Sequence, residues 1–251
     1  MASQSKGIEI RAKEANVSFL LVHGFCAAPD EMSTLGQYLA ERNISSFSVQ
    51  ISGHGSSPEE LFKTHWQDWY ESVVNGFEYV KSWNAEFTFV AGISLGGALS
   101  VLLASKHDGI DGLILIAPAL KITGILPRLV PFLKHVMKYR AIDVEKAQEI
   151  YDVKRTKYSR EPVSAYHELF KLQKVARSNM GKVAIPTLII QGTADKTINP
   201  NNGQLALDGI GSKDKQLHMI EGGEHVITCH SSRFEAYPII EVFINRITQR
   251  T

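Results

Sequence analysis

Ser94 stands among small residues in VAGISLGG (residues 90–97), and Gly92-Ile93-Ser94-Leu95-Gly96 reads G-x-S-x-G. A serine hydroxyl becomes a nucleophile when a sharp turn presents it and a base takes its proton. A turn serine that only caps a helix is the alternative. The base of choice is histidine. His225 lies in EGGEHVITCH (residues 221–230), where two glycines let the chain turn, and His230 in the same stretch is its main rival. His107 and His135 fall in helical patterns and His218 in a strand pattern. An acid must orient the ring and stabilise the imidazolium. Asp195 closes IPTLIIQGTAD (residues 185–195), although TADKTINP is rich in turn formers and an Asx-turn is the competing reading. Asp208, Asp214 and Glu224 are weaker candidates. A tetrahedral acyl intermediate also needs two aimed backbone N–H donors. Leu95 follows the serine and supplies one, and Phe25, in the loop after LLVHG, supplies the other. The chain order serine, acid, histidine is that of one hydrolase architecture.

Such residues work only on a rigid frame. Apolar runs bounded by Gly or Pro recur at residues 17–24, 45–52, 87–94, 112–118, 185–192 and 215–223. Several are apolar at nearly every position, which suits parallel strands covered on both faces. Helical periodicity lies between and after them, at 31–43, 65–83, 95–107 and 234–247. This alternation predicts a doubly wound α/β sheet. Residues 1–118 and 183–251 are expected to form the core, and 119–182 an inserted helical cap. Within 119–182, Leu126, Leu129, Val130, Leu133, Val136 and Met137 make one helical stripe. Weaker helical patterns follow in DVEKAQEIYDVKR and SAYHELFKLQKVARSNM, and no clear strand is visible there. Leu126, Leu129 and Leu133 are expected to line a substrate pocket together with His23, Gly24 and His54.

The chain has 251 residues, 44% hydrophobic and 21% charged, with a net charge of +1. That balance gives no general reason for binding nucleic acid or a membrane. Charge is nonetheless uneven. Residues 121–182 carry 14 Lys and Arg against 6 Asp and Glu, a net +8, which leaves −7 for the remainder. Solvated outer helix faces are the simpler expectation, and a basic rim that attracts anionic substrates the sharper one. The two cysteines, Cys26 and Cys229, suit a reducing compartment. They read as buried free thiols, with a redox-sensitive bridge as the lesser alternative. MASQSKGIEIRAKEA has no apolar core of a secretory signal, and no apolar run reaches membrane-spanning length, so the expected place is the cytoplasm. The expected partner is a small-molecule ester, with no nucleic acid and no stable membrane insertion, for a monomer or homodimer. The chemistry needs no cofactor and no metal.

HGF, GHG, GISLGG, DKTINP (residues 195–200) and GEHVIT, in this order, resemble the small α/β-hydrolase carboxylesterases and monoacylglycerol lipases of microbes. The resemblance covers roughly residues 15–248 and is weakest over the expected cap. It implies an α/β-hydrolase fold, a mostly parallel sheet flanked by helices with an inserted helical cap. It also implies Ser94 as nucleophile, Asp195 and His225 as its partners, and Phe25 and Leu95 as oxyanion donors. Glu224 departs from the pattern, which commonly has Gly before the histidine. Short- to medium-chain acyl esters or monoacylglycerols are the expected substrates, with feruloyl-type aromatic esters as an alternative. A small-ligand receptor with very slow turnover is the competing class on the same fold.

Overall fold

The computed structural model of the chain describes residues 6–123 and 126–249. In chain order the first half contains β1 (Gly7–Ile10), β2 (Val17–Val22), α1 (Ser33–Ala40), β3 (Ser45–Val49), α2 (Pro58–Phe62), α3 (Trp66–Lys81), β4 (Phe87–Ile93), α4 (Leu95–Ala104) and β5 (Gly112–Ile116). Then come α5 (Leu126–Leu133), β6 (Tyr139–Ala141), α6 (Val144–Gln148), β7 (Arg160–Pro162) and α7 (Val163–Asn179). The chain closes with β8 (Thr187–Gly192), α8 (Asn201–Gly209), β9 (Lys215–Ile220) and α9 (Arg233–Thr248).

Seven strands form one sheet in the order β1-β3-β2-β4-β5-β8-β9, parallel throughout except for β1 against β3. Every residue of β2, β3, β4, β5 and β8 is buried, which explains the near-continuous apolar sequences of β2, β4, β5 and β8, while β3 buries three serines. The pleat divides them between two cores. Leu20, Val22 and Val90 face Trp69, Val73 and Phe77 of α3 and Leu99 of α4. Phe19, Leu21 and Phe89 face Leu35 of α1 and Ile240 and Phe243 of α9. The sheet is thus covered on both sides, as the alternation of strand and helix predicts. In register, Val22 lies beside Gly92, Ile93 beside Ile116, and Gly192 beside Ile220. The loops leaving β2, β4, β5, β8 and β9 therefore emerge at one edge, where open α/β sheets bind ligands.

Two local features depart from the sequence pattern. β1 is a four-residue edge strand, largely exposed, and so lacks an apolar run to announce it. Between β5 and β8 a two-stranded hairpin pairs Tyr139 with Pro162 and Ala141 with Arg160, and three-residue strands are too short to show a period. The apolar stripe there outlasts its helix. α5 stops at Leu133, and the chain unwinds through His135 N–H to Phe132 O and Val136 N–H to Leu133 O, leaving Val136 exposed. Among the described residues no helix is long and apolar enough to cross a membrane.

Candidate active site

Ser94 joins β4 to α4 with φ 55° and ψ −115°, a conformation that costs a non-glycine residue about 1–3 kcal/mol. The surroundings hold it there. Ser94 N–H donates to Ile116 O at 3.0 Å, and Ser94 O accepts from Ala119 N–H at 2.9 Å. Two glycines make the turn possible by close approach. A Cβ on Gly92 would lie 2.4 Å from both Gly96 O and Ser100 Oγ, and one on Gly96 would lie 2.1 Å from Val22 O. Gly96→Ala therefore drives α4 off β2. We expect it to destabilise the fold by about 1–3 kcal/mol, read as a lowered urea midpoint, with loss of activity as Leu95 shifts.

The turn presents the Ser94 hydroxyl to His225. Ser94 Oγ lies 2.9 Å from His225 Nε2, and His225 Nδ1 lies 2.7 Å from Asp195 Oδ2. The loops after β8 and β9 hold this chain together. Thr193 N–H donates to Ile220 O and Ala194 N–H to Gly223 O, both at 3.0 Å, which stacks the His225 loop on the Asp195 loop. Asp195 Oδ1 accepts from the N–H groups of Thr197 (2.9 Å) and Ile198 (2.8 Å), and Oδ2 also accepts from Gln191 Nε2 at 3.1 Å. The Asx-turn and the pairing with histidine are thus both present, one on each oxygen. Burial pushes the Asp195 pKa up, but the hydrogen bond and charge of His225, with the two backbone donors, outweigh it and hold the carboxyl below its ordinary value. A carboxylate at Oδ2 makes Nδ1 the donor and leaves Nε2 free to accept from the serine.

Leu95 N–H is the first amide of α4, one of those a helix leaves without an internal partner. Phe25 N–H follows Gly24, and a Cβ on Gly24 would lie 3.5 Å from Ser94 Cβ. No acceptor meets Phe25 N–H among the described residues. Its loop is anchored by Glu31, whose Oε2 accepts Gly24 N–H at 2.6 Å. His230 faces away from this chain of bonds, with Nδ1 2.9 Å from Ser232 Oγ. Asp214 pairs with Arg246 and Asp208 accepts from Gln204.

A cavity of about 440 Å³ opens beside Ser94 and His225. Gly24 and Phe25 line it, but His23 and His54 do not. His23 is fully buried, with Nδ1 donating to Gly24 O and Nε2 accepting from Ile51 N–H, so both ring nitrogens are occupied. Burial lowers its pKa. His54 is also buried, and desolvation, helped by His23, lowers its pKa to about 3. The Phe25 ring packs edge-on against His54 and Trp69, and on its other contacts against Tyr166. Leu129 and Leu133 are not among the described lining residues either. α5 packs on α7 with Val130 buried, which turns Leu129 outward at 43% exposure. The Leu126 side chain lies outside the described residues.

Sequence reasoning missed much of the wall. Ile142, Ala147, Ile150 and Tyr151 line it, with Leu169 and Tyr166 of α7 and the charged side chains Glu31, Arg140, Arg155, Lys157 and Glu161. Residues 151–158 are tied to both sides of the site. Tyr151 OH accepts from Val226 N–H at 3.4 Å, and Val153 N–H donates to Cys229 O at 3.2 Å. Arg155 Nη1 donates to Glu31 Oε1 at 3.0 Å, Thr156 N–H to Asp30 Oδ2 at 2.7 Å, and Tyr158 OH to Gly53 O at 2.8 Å. Cys26 and Cys229 are both free and buried, in different cores.

A family model described as serine aminopeptidase, S33 (Hydrolase_4) matches residues 13–231. The carboxylesterase of Bacillus subtilis (strain 168) is 28% identical over 235 residues, spanning 94% of this chain and 95% of that protein. The thermostable monoacylglycerol lipase of Bacillus sp. (strain H-257) is 28% identical over 226 residues, 86% of each chain. A solved structure from work on LipS and LipT, two metagenome-derived lipolytic enzymes, superimposes with a TM-score of 0.87 at 25% identity, covering 96% of this chain and 98% of its own. With the family model spanning most of the chain and the sheet order now in view, this chain belongs to the α/β-hydrolase family described as serine aminopeptidase, S33, and is a serine hydrolase.

Proposed function

We propose that this chain hydrolyses carboxylic esters with short- to medium-length acyl chains, monoacylglycerols among them, through an acyl-enzyme on Ser94. The observation that carries the reading is the unbroken chain Ser94 Oγ, His225 Nε2, His225 Nδ1, Asp195 Oδ2, with distances of 2.9 and 2.7 Å, at the mouth of a 440 Å³ cavity. His225 Nε2 takes the hydroxyl proton as Oγ attacks the ester carbonyl. The N–H groups of Phe25 and Leu95 receive the oxyanion. His225 then protonates the departing alcohol, and a water molecule, deprotonated by the same nitrogen, attacks the acyl-enzyme. The relatives' names, carboxylesterase and monoacylglycerol lipase, support an ester rather than a peptide as substrate. In this reading residues 119–182 are the cap, and the walls they supply select the ester. The two free thiols suit a reducing compartment, and the proposal places the enzyme in the cytoplasm.

An ester panel graded by acyl length tests the proposal, with p-nitrophenyl esters from two to twelve acyl carbons, a monoacylglycerol and a feruloyl ester (about ten substrates in all). We expect kcat/KM to peak at short to medium acyl length, with a fluorophosphonate probe labelling Ser94 in intact-mass spectra. Turnover at the level of slow background hydrolysis across the panel, with saturable binding, would instead support the receptor class. A feruloyl optimum would move the assignment to aromatic esters.

A further inference from the structure

The cavity is unusually charged for one that takes a plain acyl ester. Arg140, Arg155 and Lys157 line it against Glu31 and Glu161. Both carboxylates are already engaged on each oxygen. Glu31 Oε1 accepts from Arg155 and Oε2 from Gly24 N–H, while Glu161 Oε1 accepts from Lys157 Nζ at 3.0 Å and Oε2 from the Tyr166 hydroxyl. The cations are less well matched. Among the described residues no carboxylate lies within ion-pair distance of Arg140, whose Nη1 reaches only Tyr166 OH at 3.3 Å. Arg155 has a side chain only 7% exposed, and its Nε is buried with no acceptor. Nη1 alone is engaged, and because Nε is closed off from any solvent-sized group, Nη2 is the donor left for a ligand.

The guanidinium presents Nη2 as a charge-assisted donor, which a carboxylate satisfies better than a neutral acceptor does. Glu31 on one side and the Tyr151 ring, 5.1 Å from the guanidinium carbon, fix its orientation before any ligand arrives. A cationic donor left unmatched in the cavity wall is costly, and the hydrocarbon chain of a plain acyl ester offers it no acceptor. We propose that the preferred substrate is an ester carrying a carboxylate away from the scissile carbonyl, held by Nη2 of Arg155. Arg140 supplies the excess positive charge at the same cavity, and the net +8 over residues 121–182 draws anions toward it. The inference rests on the esterase reading above. It names Arg155 as a residue that sets specificity.

The test compares kcat/KM for four esters with the full-length protein. They are a neutral p-nitrophenyl butanoate, a mono-p-nitrophenyl glutarate with the carboxylate on the acyl side, a butanoyl ester of a hydroxy acid with it on the alcohol side, and monobutanoylglycerol. The expected result is a gain of about tenfold to a hundredfold for one of the two carboxylate esters over the neutral ester closest to it in structure, carried mainly by KM. The arm that gains tells on which side of the scissile bond Arg155 sits. Arg155→Lys keeps a cation beside Glu31 but has no second nitrogen to reach a ligand, and Arg155→Gln removes the charge. The readout is the ratio of carboxylate to neutral ester within each variant, since Arg155 also supports Glu31. We expect Arg155→Lys to cut that ratio severalfold and Arg155→Gln to bring it close to unity. Should Arg155→Gln fail to fold, the Lys variant still decides. Equal rates for carboxylate and neutral esters, the largest gain on monobutanoylglycerol, or a ratio unmoved in Arg155→Lys would each overturn the inference. Turnover of neutral esters that disappears in Ser94→Ala keeps the esterase reading intact in those cases. If no ester is turned over, or if turnover survives in Ser94→Ala, it is the esterase reading that fails.

Discussion

Ser94→Ala is expected to lower kcat for ester hydrolysis by roughly 10⁴- to 10⁶-fold while the protein still folds. The residue contributes one bond to the site, from its hydroxyl to His225 at 2.9 Å, and that is the bond along which the proton leaves. Without Oγ there is no acyl-enzyme, and only binding and the backbone donors remain. The fold persists because Ser94 is held by its backbone, through Ile116 O and Ala119 N–H, and alanine keeps both contacts. It also keeps the strain, since φ of 55° disfavours any Cβ. Ser94→Gly should therefore be as inactive as Ser94→Ala yet more stable than it, by roughly 1 kcal/mol. Urea unfolding of the two variants, beside steady-state assays on p-nitrophenyl butanoate, checks both statements. Substantial hydrolysis by Ser94→Ala would remove the nucleophile from the proposal.

Asp195→Asn comes second, with kcat reduced by about 10⁴-fold and little change in KM. The two backbone N–H groups of Thr197 and Ile198 require an acceptor, so the asparagine carbonyl takes the Oδ1 position. Its NH₂ then faces His225 Nδ1, and Gln191 Nε2 as well, where Oδ2 stood. An NH₂ donor there forces the proton to Nε2, and an imidazole in that tautomer has no lone pair for the serine proton. Acid stability should report the same carboxylate. Burial opposes its charge, but His225 and the backbone donors hold its folded pKa below the ordinary, unfolded value. Its contribution to stability is full above the unfolded pKa and is lost as pH falls through the folded one. Asparagine binds no proton in that window. Urea midpoints measured from neutral pH down through the carboxylate range should fall more steeply for the parent than for Asp195→Asn.

The frame of this molecule was readable because its strands are buried on both faces. β2, β4, β5 and β8 carry apolar side chains at nearly every position, and the candidate residues follow at their ends: Ser94 after β4, Asp195 after β8, His225 after β9. Local signals sufficed because strand ends and glycine turns are local. The walls of the cavity have no such signature. Arg155 and Glu31 are 124 residues apart and meet only after the sheet has closed, and neither belongs to a periodic run. Three-residue strands such as β6 and β7 leave no period, so Tyr139 to Pro162 read as featureless or weakly helical. His54 illustrates the opposite error. It sits between two glycines after β3, yet Phe25 and Trp69 pack against the imidazole and bury it, and only ring packing in three dimensions decides that. Leu129 failed for the same reason, because a stripe gives the apolar side of a helix but not the neighbour it meets.

Residues 151–158 grip the Glu31 loop through Arg155 and the His225 loop through Tyr151 and Val153. This makes the segment between β5 and β8 a poor candidate for modular exchange. A chimera that takes the equivalent segment from a relative, and with it replaces Arg155, leaves a carboxylate 3% exposed beside Gly24 with no counter-ion. The unpaired charge would bear directly on the loop that carries Phe25, so the recipient would lose rate on every ester, including those the transplanted segment handles well in its own host. Recombination between members of this family should succeed when crossover points carry Glu31 and Arg155 as one inherited block, and fail when they are separated.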